Sequence, residues 1–375
     1  MNLRTLAILF GLMVVMPVGS RLALAQQANP ALKALIEGAR KEGQLDLMIT
    51  SSQGEKGAAE LSEAFKKRFG LELKMNYDLS GLESQKINQA VAETKAGVPP
   101  VFDLMQSEPP ETLPLLTAGG IELIENWEAL LAEISPEAYK VKEKISPSIL
   151  KGYGFLWGTR LTVMVYNPKL ISEGEVPKMW KEMGNPKYRG AFSVPPWIGV
   201  ARMGIWKYDK DEWLEIVKSF GRNKREVLTF TAGVQRMLLG ELKFVEANTY
   251  EYNSQKASDA NAPIEMRFAE DFSPLRQTFY FMRKGTRHPN AARLFALWAT
   301  SPEANRIYEK YSLIENLALG TGPVTLKTVE KIKRQKVEPM SWFDSPQNLE
   351  KFRWLATDEG QKYQQAIAKA QREGN

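Results

Sequence analysis

The chain reads as an α/β protein of two lobes, and three features lead there. Residues 44–107 alternate strand and helix patterns as β-α-β-α-β. Two long apolar strands, at 157–166 and 274–284, are placed to cross between halves. The 375 residues contain no cysteine, so stability must come from hydrophobic cores alone, and a chain this long is better served by two than by one.

The first lobe is the more regular. "QLDLMIT" (44–50) is a short strand, followed by the polar loop "SSQGEK". Leu61, Ala64, Phe65 and Phe69 fall on one helical face over 57–69, and Gly70 ends that helix. "LELKMNYD" (71–78) alternates as a strand, "SQKINQAVAETKA" (84–96) is a helix stopped at Gly97, and "VFDLMQS" (101–107) is a third strand. Strands joined by helices pair in parallel through right-handed crossovers. Their following loops therefore share one edge, where ligands of open α/β sheets bind. These loops carry Ser51 and Ser52, then Ser80, then Gln106, Ser107 and Glu108. Helix N-termini near Gly57 and Glu83 add free N–H groups that favour anions.

"FLWGTRLTVMVYNPKLI" (155–171) is a long strand ended by Asn167-Pro168, and "GAFSVPPW" (190–197) is a strand entering a proline-bounded loop. Residues 209–223 form an amphipathic helix with Trp213, Ile216, Val217 and Phe220 inward; 231–242 is a short helix and 243–253 a strand. Two helices broken at Ser301-Pro302 occupy 288–311, and the tail is helical and polar. The expected organisation is lobe one at 30–158 plus 275–330, lobe two at 159–273, and a C-terminal helical tail at 331–375.

Composition narrows the function. An apolar run from Leu6 to Val18 behind Arg4, followed by Ala23-Leu24-Ala25, has the form of a cleavable secretory leader over residues 1–25. That run is too short for a membrane span. Without cysteine there is no lipobox, so a free periplasmic protein is expected rather than a lipoprotein. The formal charge of +6 drops by two when Arg4 and Arg21 leave with the leader. The remaining basic residues are dispersed; even "KIKRQK" (331–336) lacks the interleaved aromatics of a nucleic-acid platform and reads as a solvated helix face. One histidine, His288, and no cysteine leave little for triads or zinc sites. A carboxylate-based hydrolase or lyase would have to rest on Glu246 or Asp271, neither with a partner at a defined spacing.

The motif order "VMVYNPKLI", "VPKMW", "NPKYRGAFSVPPW" and "RKGTRHPNAARLFALWATSPEANRIY" resembles the extracellular solute-binding proteins of ABC-type uptake transporters, in the branch that includes the ferric-ion-binding periplasmic proteins. The resemblance spans roughly residues 40–315. It implies a type II periplasmic-binding-protein-like fold: two α/β lobes, each a mostly parallel sheet flanked by helices, joined by hinge strands. It also implies a monomer that closes on a small solute without chemistry, needs no cofactor and delivers its cargo to a cognate inner-membrane permease. A sensor presenting the solute to a receptor would look the same.

"FVEANTYEYNSQ" (244–255) bears on the cargo. In the iron-binding branch, two adjacent tyrosines follow an asparagine and one further residue. Here Tyr250 matches the first, Glu251 stands in place of the second, and Tyr252 is displaced by one. On a continuing strand Asn248, Tyr250 and Tyr252 would share one face, with Glu251 on the other. Three readings stay open: tyrosines lining the pocket of an organic or oxyanion solute; Fe³⁺ as cargo, held by Tyr250 with Glu251 or Tyr252; or plain strand cover. Arg160 matches an arginine found at this hinge in relatives and either meets an anion or forms an interlobe ion pair. Trp197, after Pro195-Pro196, either stacks on a ligand or caps the core. Ser51, Ser52 and Ser80 contact solute or cap helices. Together these favour an anionic solute.

Overall fold

The computed structural model describes residues 29–373; the expected leader lies outside them. Ten strands form one continuous hydrogen-bonded array. In chain order they are β1 (Gln44–Met48), β2 (Lys74–Asp78), β3 (Leu104–Ser107), β4 (Gly154–Tyr166), β5 (Phe192–Val194), β6 (Glu226–Val227), β7 (Phe244–Asn248), β8 (Glu265–Arg267), β9 (Ser273–Met282) and β10 (Pro339–Met340). The spatial order is β2-β1-β3-β9-β4-β7-β5-β6, with β8 paired to β4 and β10 to β9.

β1 pairs in parallel with β2 and β3, and β5 in parallel with β6 and β7. Between these two parallel groups run β4 and β9, antiparallel to each other and to β7 and β3, while β10 adds to β9 in parallel. Each is long enough to belong to both groups. Phe155 of β4 sits opposite Tyr280 in the first, and Leu161 opposite Leu275 toward the second, with a register shift between Leu156 and Gly158. A bulge at this place bends the strand and raises its twist, as a crossing between lobes requires.

The hydrophobic cores divide in the same way. One cluster takes buried residues from Leu32 to Trp157 and again from Phe279 to Ile314. Two others take residues between Leu161 and Phe272. The polar-looking C-terminal segment hides an apolar stripe. Trp342, Phe352, Leu355, Tyr363, Ile367 and Ala370 are buried in one of these latter clusters, with Trp206 and Trp213. Phe343 reaches Phe279, their ring centres 6.0 Å apart. Among the described residues no helix is long and apolar enough to cross a membrane.

Trp213 anchors the second half. It is fully buried, stacks on Tyr208 at 5.2 Å, and donates its indole N–H to the Ala201 carbonyl at 2.7 Å. Gly204 lies so close that a Cβ there would stand 1.9 Å from the indole. Trp213→Ala is expected to cost about 3–5 kcal/mol, read as a lowered denaturation midpoint in urea.

Candidate functional site

The two crossing strands make the floor of the site. Register places Arg160 of β4 directly opposite Arg276 of β9, Thr162 opposite Asn248, and Met164 opposite Glu246. Strand alternation puts Arg160, Thr162, Asn248, Glu246 and Arg276 on one face. The first-lobe loops reach the same face, because Glu108, just beyond β3, ion-pairs with Arg276.

Like charges on directly opposed residues repel, so each guanidinium needs an anion. Arg276 has one: Glu108 accepts at 2.6 Å from Nη2 and at 3.0 Å from Nε, a bidentate grip. Burial works against the charge of Arg276, but Glu108 outweighs it and the guanidinium pKa is raised. Arg160 has no such partner. Among the described residues its one hydrogen bond runs from Nη2 to the Thr278 hydroxyl at 3.4 Å, and its buried Nε finds no acceptor.

Among the described residues, none of the carboxyls around the floor forms an ion pair with Arg160. Glu111, in helix Pro109–Thr117, pairs with Arg202 of helix Gly199–Met203 at 2.9 Å, across the two halves. Glu83 is pushed up to about 7 by burial and by the charges of Glu108 and Glu111. Its Oε1 accepts the Glu108 N–H at 3.3 Å. Glu246 is 2 % exposed, accepts only the Val200 N–H at 3.3 Å, and is pushed up to about 8 by burial. Burial also raises Glu251. Glu315, pushed up to about 7 by burial, accepts hydrogen bonds from Thr249, Asn253 and Thr328. Arg160 forms no ion pair among the described residues, and its charge pulls the Glu83, Glu251 and Glu315 carboxyls down against the effect of burial.

The strand expected over 243–253 needs correction. β7 ends at Asn248, and Thr249–Ser258 is a helix. Asn248 and Glu251 form a capping box, in which the Asn248 N–H donates to Glu251 Oε2 at 3.0 Å. An asparagine followed three residues later by glutamate is a helix-start signal, and here it overrides the alternation of aromatics. Asn248, Tyr250 and Tyr252 therefore do not share a face, since residues two apart on a helix point in widely different directions. Tyr252 is buried in the second-lobe core and accepts a hydrogen bond from Lys331 at 3.0 Å, so it is not a residue of the floor. Glu251 is held by its capping role. Tyr250 keeps a partly exposed ring, with no hydrogen bond among the described residues.

The structure gives the remaining candidates no contact with Arg160. Ser51 is exposed, close enough to Gly81 that a Cβ there would stand 3.1 Å from its hydroxyl. Ser52 bonds the Thr50 hydroxyl at 2.9 Å. Ser80 is exposed and its N–H donates to Asp78 at 2.7 Å. Gln106 is buried with an unpartnered Oε1. Trp197 is 40 % exposed, its ring edge-on to Phe230 at 4.9 Å. Sequence reasoning missed Arg276, Arg202 and Glu83, and placed Glu108 at the strand-end edge without its partner. One signal was available: Arg276 interrupts an otherwise apolar crossing strand as Arg160 does. The single histidine, His288, is largely buried, with Nδ1 2.8 Å from Asp103.

The raised carboxyls set a pH dependence. Folded Glu246 holds its proton up to about pH 8, whereas its ordinary value is 4.5. The folded state binds the extra proton, so this contribution is complete below the ordinary value and is lost as pH rises through about 8. Glu246→Gln is expected to raise Tm by several degrees at pH 9, on the order of a few kcal/mol. The same substitution should leave Tm nearly unchanged near pH 4.5, both read by calorimetry.

The comparisons agree with this architecture. Residues 60–330 match the family model described as bacterial extracellular solute-binding protein. No curated protein matches the chain. Among solved structures, iron-bound HitA from Pseudomonas aeruginosa is similar at 19% identity and TM-score 0.62, covering 86% of this chain and 99% of its own. Trichodesmium IdiA (FutA), in complex with iron and citrate ligands, is similar at 17% identity and TM-score 0.64, covering 88% and 99%. The periplasmic binding protein P5PA is similar at 16% identity and TM-score 0.64, covering 89% and 100%. At such identities the likeness carries the fold alone. The family match spans most of the chain, which therefore belongs to the bacterial extracellular solute-binding proteins and serves as the solute-binding component of an ABC transporter.

Proposed function

We propose that this protein carries an anionic solute, its acid group seated on Arg160 between the two lobes. One observation supports this above the others: Arg160 is the guanidinium of the floor whose donors are left over, while its cross-strand neighbour Arg276 is matched by Glu108. A guanidinium without an anion in a partly dry site is costly, and a bidentate acid group offsets that cost. The protein works as a secreted periplasmic monomer, neither lipid-anchored nor catalytic. It holds the solute by closure and releases it to a permease.

Ferric ion is the second reading, favoured by two structural neighbours that hold iron. It requires hard anionic ligands at one point. Tyr250 is the phenol available for that role, with Tyr252 turned to Lys331 and Glu251 engaged in its cap. The anionic solute fits these placements better.

Calorimetric titration of the mature protein with succinate, citrate, inorganic phosphate and glycerol phosphate tests the assignment. At least one should bind, and Arg160→Gln should weaken it by roughly 10- to 150-fold, the worth of one charge-assisted contact. Equal affinity in the variant would contradict the seat. A visible absorption band on adding ferric citrate, abolished by Tyr250→Phe, would favour iron.

A further inference from the structure

The loop after β5 supplies much of the second-lobe wall. It contains Pro195, Pro196 and Trp197, and it leads into the Val200 N–H that meets Glu246 and the Arg202 that crosses to Glu111. Two prolines leave it few N–H groups with which to anchor itself. Its fixings come from the far end of the chain. The side-chain amide of Gln371 donates to the Pro195 carbonyl at 2.7 Å and to the Trp197 carbonyl at 2.7 Å. Gln371 is 2 % exposed, so these are dry bonds, and leaving the carbonyls unmade would be expensive.

The helix that presents Gln371, Asp358–Glu373, is itself held firmly. Ile367 and Ala370 are buried with Trp213 in the second-lobe core. Arg225 donates from Nη2 to the Ala370 carbonyl at 3.1 Å and also to the Gln371 carbonyl, closing the helix end. The family match covers residues 60–330 and stops short of this helix.

We propose that the C-terminal helix is a positioning element of the solute site, with Gln371 clamping the Pro195–Trp197 loop so that Trp197 and Arg202 stand at the cleft. The proposal rests on the reading of the cleft as the solute site. Gln371 touches no solute; it acts through the loop.

The test compares the full mature protein with Gln371→Met, which keeps length and packing but has no donor, and Gln371→Lys, which restores a donor at a helix end that favours a cation. Two readouts are taken: titration with the tightest binder among succinate, citrate, inorganic phosphate and glycerol phosphate, and amide exchange along the chain. For Gln371→Met the expected result is roughly a tenfold loss of affinity, with faster exchange confined to residues 195–203. Gln371→Lys should recover most of the affinity and the slow exchange. Unchanged affinity and exchange in Gln371→Met would overturn the proposal. So would faster exchange throughout the second lobe, or failure of Gln371→Lys to recover. If the unmodified protein binds none of the four probes, the solute class is wrong, while the exchange result still decides the role of Gln371.

Discussion

Two arginines face each other across the pair of strands that join the lobes, and the site follows from how their repulsion is relieved. Arg160 and Arg276 stand at one level of the β4–β9 ladder. Glu108, delivered by the loop after β3, neutralises Arg276. That contact ties the first lobe's strand-end edge to the hinge. It also leaves Arg160 as the point where an outside anion is worth most.

The carboxyls nearby would defeat this if all were charged. Burial lightens the conflict by pushing the Glu246 carboxyl up to about 8 and the Glu83 carboxyl up to about 7. The Glu111–Arg202 pair then joins the walls on either side. It is an ion pair between partly buried groups, and such pairs contribute specificity of fit more readily than raw stability. Together these contacts tie the strand-end edge of the first lobe to the hinge strands and to the segment that carries Arg202.

Much of this was legible in sequence, and the exceptions have physical causes. The parallel strands of the first lobe and their helices follow from periodicity and glycine stops, and the helix Glu83–Ala96 starts within a residue of its expected place. Arg160 was singled out through the family resemblance, as an arginine at the hinge. The segment after Asn248 misled because alternating tyrosines imitate a strand, while the capping pair Asn248 and Glu251 starts a helix. Partners such as Glu108 and Arg276 lie far apart in sequence, and only strand register brings them together. The buried stripe of the C-terminal segment was obscured by its many charged residues, and Gln371 had no local signal at all, since both of its acceptors sit in a distant loop.

The account turns on where the cargo's acid group rests. A crystal structure of the protein with its co-purified solute would test it most directly. The account predicts an acid group within hydrogen-bond distance of Arg160, with Glu108 still bound to Arg276. A solute seated elsewhere, or a metal ion held by Tyr250 with Arg160 facing away, would contradict it.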